Sequence, residues 1–169
     1  MDPEHDEQLP EGAEEHHQDG VERVLFDAER GHDESREAGR EASNYAAALL
    51  HLKRYAEARS LMSKTVPVAR RVAGEDKYLT LMMRMHYARA LYQDEESATL
   101  KDVREAVETL EDLERTARRV FGGEHPLTTG VEKTLGKSRA AYDARRGVLE
   151  ALAGGHGVDL AALRQTYRA

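Results

Sequence analysis

The chain has 169 residues, 34 % of them charged and 5 % aromatic, with a formal net charge of −7 and no cysteine. That length holds one domain with tails, and the missing cysteines exclude disulfides, thiolate nucleophiles and Cys-ligated metal centres. The acidic balance with no basic stripe speaks against nucleic-acid binding. No apolar run approaches the ~18 residues of a membrane span, and no secretory or transit segment is legible at the N-terminus, so a cytoplasmic or other soluble intracellular compartment is expected.

Residues 1–19 are rich in acids and histidines, with two prolines and one leucine, which predicts a disordered acidic tail. His16 and His17 with Glu14, Glu15 and Asp19 are read as composition, and no metal or cofactor site is expected. A helical repeat domain is expected over residues 20–146. It opens with a short amphipathic helix, in which Val21, Val24 and Leu25 form an apolar strip suited to a partner.

Five longer helices follow. The first spans about Glu34 to His51, with Ala42, Tyr45, Ala46, Leu49 and Leu52 on one side and Glu37, Arg40, Asn44 and His51 on the other. The second runs from about Arg54 to Val72, around Ala58, Leu61, Met62 and Val68, and Pro67 should kink or locally break it. The third covers about Lys77 to Gln93, with Leu81, Met85, Ala88 and Leu91 inward and Met82 and Met83 nearer a groove. Thr99 and Asp102 predict the N-cap of the fourth, Leu100 to Phe121, whose stripe is Leu100, Val103, Val107, Leu110, Leu113 and Ala117. The fifth, about Pro126 to Arg146, keeps Leu127, Val131, Leu135 and Tyr142 inward. Glu132 and Arg139 make its outer face polar, as a terminal cap requires. Gly154 and Gly155 then break the chain, and residues 147–169 read as an extension with one short helix around Leu160, Leu163 and Tyr167.

The chain also repeats itself. Ala69-Arg70-Arg71-Val72-x-Gly74-x4-Leu79-Thr80 returns as Ala117-Arg118-Arg119-Val120-x-Gly122-x4-Leu127-Thr128, seven identities in twelve positions at one offset of 48 residues. Tyr45 and Tyr87 are 42 apart whereas Ala58 and Ala106 are 48 apart, so the acidic loop around 94–98 lengthens the second unit by six residues. Self-similarity at such a period marks a helical repeat array.

Asn44-Tyr45-Ala46-x2-Leu49, Arg54-Tyr55-x-Glu57-Ala58, Arg70-Arg71-Val72-x-Gly74, Leu79-Thr80 and His125-Pro126-Leu127-Thr128 together resemble tetratricopeptide repeats, specifically the kinesin-light-chain-like type, over about residues 35–142. The chain departs from that pattern at Lys53, where a small residue is usual, and at Lys77-Tyr78, where the second unit has His-Pro. The resemblance implies an all-α, short right-handed α-solenoid of antiparallel helix pairs with a polar C-terminal cap helix. It also implies that first helices of each pair line a groove for an extended peptide or partner helix. Asn44, His86 and Thr134 fall at equivalent places in those helices, with His51 and Gln93 two turns on, and Asn44 matches the family position that contacts ligand backbone.

The resulting expectation is a non-enzymatic adaptor or scaffold that binds a protein or peptide partner. The alternative is a subunit of a larger complex or homo-oligomer, held through helix edges around residues 21–50. An enzyme is the third reading, and no Ser–His–Asp set, paired-carboxylate site or phosphate loop supports it. The solvated-face reading of Asn44, His51, His86, Gln93 and Thr134 stands beside the groove reading.

Overall fold

The computed structural model describes residues 32–153, which form α1 (His32–His51), α2 (Tyr55–Val72), α3 (Tyr78–Gln93), α4 (Leu100–Phe121) and α5 (Pro126–Ala153), with no strand among the described residues. The architecture is all-α, as the sequence predicts. Val21, Val24, Leu25, the tail and the last short helix lie outside the described residues.

Each helix end has a chemical cause. α1 stops in a pair of reversed bonds: the Arg54 N–H donates to the Leu49 carbonyl at 2.8 Å and the Lys53 N–H to the Leu50 carbonyl at 3.3 Å. This closure needs a left-handed residue, and Lys53 supplies it at φ 59°. Leu52 is carried out of the apolar stripe by that turn and is 43 % exposed, contrary to the expectation that it faces inward. A side chain in the left-handed region costs about 1–2 kcal/mol that glycine avoids, less glycine's larger unfolded-state entropy. Lys53→Gly should therefore raise the unfolding free energy by about 0.5–1 kcal/mol in urea denaturation. A lower midpoint would contradict this turn.

α2 passes through Pro67 without interruption. The proline removes only the amide that would bond the Ser63 carbonyl, and it is exposed, so no local break results. α4 begins on a complete capping box: the Asp102 N–H donates to Thr99 Oγ1, and the Thr99 N–H to the Asp102 carboxylate. The repeated Gly74 and Gly122 have φ values of 107° and 87°, the left-handed breaks that the repeat motif predicts.

The repeated threonines are both interior but bond different acceptors. Thr80 and Thr128 are fully buried, and their hydroxyls donate to the carbonyls of Ala69 and Gly122 at 3.5 and 2.8 Å. The Ala69 carbonyl already accepts from the Ala73 and Gly74 N–H groups, so only the Thr128 bond adds a donor at a helix end.

Consecutive helices are joined by short connections and pack on each other. α1, α3 and α5 pack side by side in one row, whereas α2 and α4 each pack against that row and are not packed on each other. Two apolar clusters result. One holds Ala46, Leu49, Leu50, Ala58, Met62 and Met83, and the other holds Leu81, Leu91, Val103, Leu110, Leu113 and Val131. Gly39 allows α1 to lie close to α3, since a Cβ there would stand 3.0 Å from the Leu79 side chain.

α3 contributes to both clusters and is buried on two faces. Met83, expected near a groove, is completely buried, while Met85, expected inward, is half-buried. Ala46, expected on the apolar side of the first helix, is buried with Leu50 in the first cluster.

Ion pairs join the elements. Arg59 of α2 reaches Asp102 of α4 at 2.7 Å, and the nearly buried Arg84 of α3 reaches Asp112 of α4 at 2.7 Å. The Thr99 hydroxyl and the Arg59 guanidinium hold the Asp102 carboxyl below the usual carboxylate range. Glu132 and Arg139, expected on an outer polar face, are paired with Arg118 and Glu111 of α4. α5 also extends seven residues past Arg146. One glycine, Gly147, costs a helix only about 1 kcal/mol, and the Arg146–Glu150 pair at 3.5 Å spans it.

Candidate functional site

The row of α1, α3 and α5 carries an open cleft of about 250 Å³ between α3 and α5. α3 lines it with Met85, Arg89, Tyr92 and Gln93, and α5 with Gly130, Lys133, Thr134 and Lys137. The spacings explain the lining, since i, i+4, i+7, i+8 and i, i+3, i+4, i+7 each place four side chains on one helix face. The volume is below that of a drug-sized pocket, so it suits one side chain of a longer ligand lying across the helices.

Two of the groove residues read from the sequence, Gln93 and Thr134, line this cleft. The Thr134 hydroxyl is engaged within its own helix, donating to the Gly130 carbonyl at 2.8 Å. Asn44 and His51 lie exposed on α1, one helix away in the same row.

His86 does not lie on an open face: it is 4 % exposed. Its α1 equivalent, Asn44, is open because α1 has a described neighbour on one side of the row, whereas α3 has α1 and α5 on either side. The ring bonds the Ser43 backbone, and its Nδ1 has no hydrogen-bond partner. Burial, aided by the charge of Arg89, lowers its pKa from 6.5 to about 4. The imidazole is thus neutral at pH 7 and packs α3 against α1.

The sequence reading missed the cleft's cations. Arg89, Lys133 and Lys137 line one opening, and none of the ion pairs among the described residues uses any of the three. Lys133 and Lys137 form an i, i+4 like-charge pair, which costs a helix about 0.2–0.5 kcal/mol when no acid intervenes. The repeat register held the signal, because Arg89 and Lys137 are one basic position repeated 48 residues apart. Tyr92, almost buried at the base, has its hydroxyl pKa raised by desolvation. Chemically the cleft offers fixed positive charge, one amide, and a sulfur–aromatic floor, a combination suited to an acidic segment with one apolar side chain.

Among the described residues, no three His, Asp or Glu side chains group as metal ligands, and no helix is long and apolar enough to cross a membrane. A second exposed feature lies at the far end of α5, where Leu149 and Leu152 are 50 % and 53 % exposed. A third is the Tyr78, Phe121 and His125 cluster, with Phe121 and His125 stacked at 4.8 Å and Tyr78 edge-on to Phe121 at 6.2 Å. No family model matches the chain, and neither a curated protein nor a solved structure does.

Proposed function

We propose that the chain is a non-enzymatic protein–protein interaction module of the tetratricopeptide, kinesin-light-chain-like kind. Its right-handed helical repeats present α1, α3 and α5 as a groove for an extended acidic peptide. The observation that carries this reading is the α3–α5 cleft, with Gln93 and Thr134 beside three cations that no described ion pair uses. The side-by-side row of α1, α3 and α5 and the repeated Gly helix ends support the repeat-array part of the reading.

Peptides selected from a random display library against the full chain should be net acidic. Lys133→Glu combined with Lys137→Glu should weaken the selected peptides by roughly 5- to 30-fold, since each exposed charge pair contributes about 0.2–1 kcal/mol and reversal also adds repulsion. The helix fold should remain intact by circular dichroism. Asn44→Ala should weaken them by about 1 kcal/mol, the usual loss for one hydrogen-bonding side chain. Selected peptides without charge bias, bound equally by the charge-reversed chain, would refute the cleft.

The second reading is a subunit held in a larger assembly through a helix edge. The half-exposed Leu149 and Leu152, three residues apart on α5, favour it. Fixed stoichiometry with a co-purifying chain, lost in a Leu149→Ser, Leu152→Ser variant, would distinguish it from the groove.

A further inference from the structure

The α3–α5 cleft puts two kinds of chemistry within reach of one side chain. Its floor is Met85, half-buried, and Tyr92, almost buried. Its rim is Arg89 of α3 with Lys133 and Lys137 of α5. Lys133 and Lys137 are exposed and lie one helical turn apart, so their Cβ atoms stand ~5–6 Å from each other and both ammonium groups can converge on one anion. Arg89 is half-buried at the same opening, so part of its side-chain freedom is already lost before a ligand arrives. None of the described residues lining the cleft is acidic.

A carboxylate side chain would engage the rim and leave the floor bare. A leucine would cover the floor and leave the cations to its neighbours. One side chain does both: a tyrosine carrying a phosphate on its hydroxyl. We propose that the cleft recognises phosphotyrosine in the partner peptide, with the ring on Met85 and Tyr92 and the phosphate held by Arg89, Lys133 and Lys137. The inference rests on the reading of the cleft as a peptide groove, and it names the side chain that fills it.

The chemistry of the ligand matches the lining. A phosphate ester carries a charge of about −1.5 to −2 at pH 7 and three strong acceptor oxygens, which three cations can share. Arginine can clamp two of those oxygens, while each lysine acts as a point charge. Seating the dianion also relieves the repulsion between Lys133 and Lys137. The thioether of Met85 and the ring of Tyr92 suit an aromatic face. A volume of about 250 Å³ takes one such side chain. Phosphoserine reaches the rim but is too short to cover the floor. A nucleotide fits less well, because its base edge needs hydrogen-bonding groups, and the Gln93 side chain is already bonded to the Tyr92 hydroxyl.

The test uses the full chain and synthetic acidic peptides that are identical except at one central position, which is phosphotyrosine, tyrosine or phosphoserine. In calorimetry the phosphotyrosine peptide should bind roughly 10- to 100-fold more tightly than the tyrosine peptide, because three charge pairs act together. It should bind roughly two- to ten-fold more tightly than the phosphoserine peptide, through its ring. Lys133→Gln with Lys137→Gln should remove most of the first advantage and Met85→Ala most of the second. Each advantage is a ratio measured on one variant, so a change in that variant's stability does not imitate the effect. The ³¹P resonance of the phosphotyrosine peptide should move on binding, together with the amides of residues 85–93 and 130–137. Equal affinity for phosphotyrosine and tyrosine would overturn the inference, and a cleft that still shifts with both peptides would leave the proposed function standing. Equal affinity for phosphotyrosine and phosphoserine would overturn it by showing a site that reads charge alone. Adenosine monophosphate displacing the peptide as well as free phosphotyrosine does would overturn it in favour of a nucleotide. No shift on the α3–α5 face with any of the peptides would overturn both this inference and the groove.

Discussion

Leu110→Ala should lower the unfolding free energy by about 2–5 kcal/mol, the usual range for a leucine truncated in a close-packed interior. Leu110 is fully buried on α4, in the cluster that also holds Leu81 and Leu91 of α3 and Val131 of α5. Leu110 thus belongs to a core that three helices share, where a void is costly to fill. Urea denaturation at pH 7 measures the effect, with the midpoint falling and the slope unchanged. An unchanged midpoint would mean that α4 does not face this core.

Acid should destabilise the fold before its carboxylates are titrated. His86 has its pKa lowered to about 4 in the folded chain, against 6.5 for an ordinary histidine. The unfolded chain therefore binds the extra proton first. Stability contributed by the neutral ring is fully present above about 6.5 and is lost as pH falls from there towards 4, amounting to about 3 kcal/mol. The carboxyls of Asp94, Asp102 and Asp112 are held below their ordinary 3.8 by Ser97, Thr99 and Arg84 respectively, so their losses come at lower pH still. His86→Gln keeps an N–H for the Ser43 backbone and cannot be protonated in this range. Melting temperatures measured between pH 7 and 4 should decline steeply in the parent chain and far less in His86→Gln. Equal slopes would place the acid sensitivity elsewhere.

Much of the fold was legible because local chemistry dictated it. Thr99 with Asp102, Gly74 and Gly122, and the first-turn Pro126 each fix a helix end without help from distant residues. The α4 stripe was legible because only one side of that helix meets the row. α3 was misread for the opposite reason. A helix packed between two neighbours loses its one-sided pattern, so nothing in the spacing told Met83 from Met85 or marked His86 as interior. Lys53 hid a left-handed turn under a residue type that seldom adopts one. The site was half legible: Gln93 and Thr134 followed from the repeat register, but the same register applied to Arg89 and Lys137 would have found its charge.

On the proposed reading, the α1–α3–α5 face binds an extended acidic segment. Backbone amide chemical shifts of the full chain, titrated with a selected acidic peptide, test it most directly. Saturable shifts are expected at residues 85–93 and 130–137, reaching Asn44 and His51 on α1, and they should fade with added salt. Shifts confined to Leu149 and Leu152, or none on the α3–α5 face at saturating peptide, would contradict it.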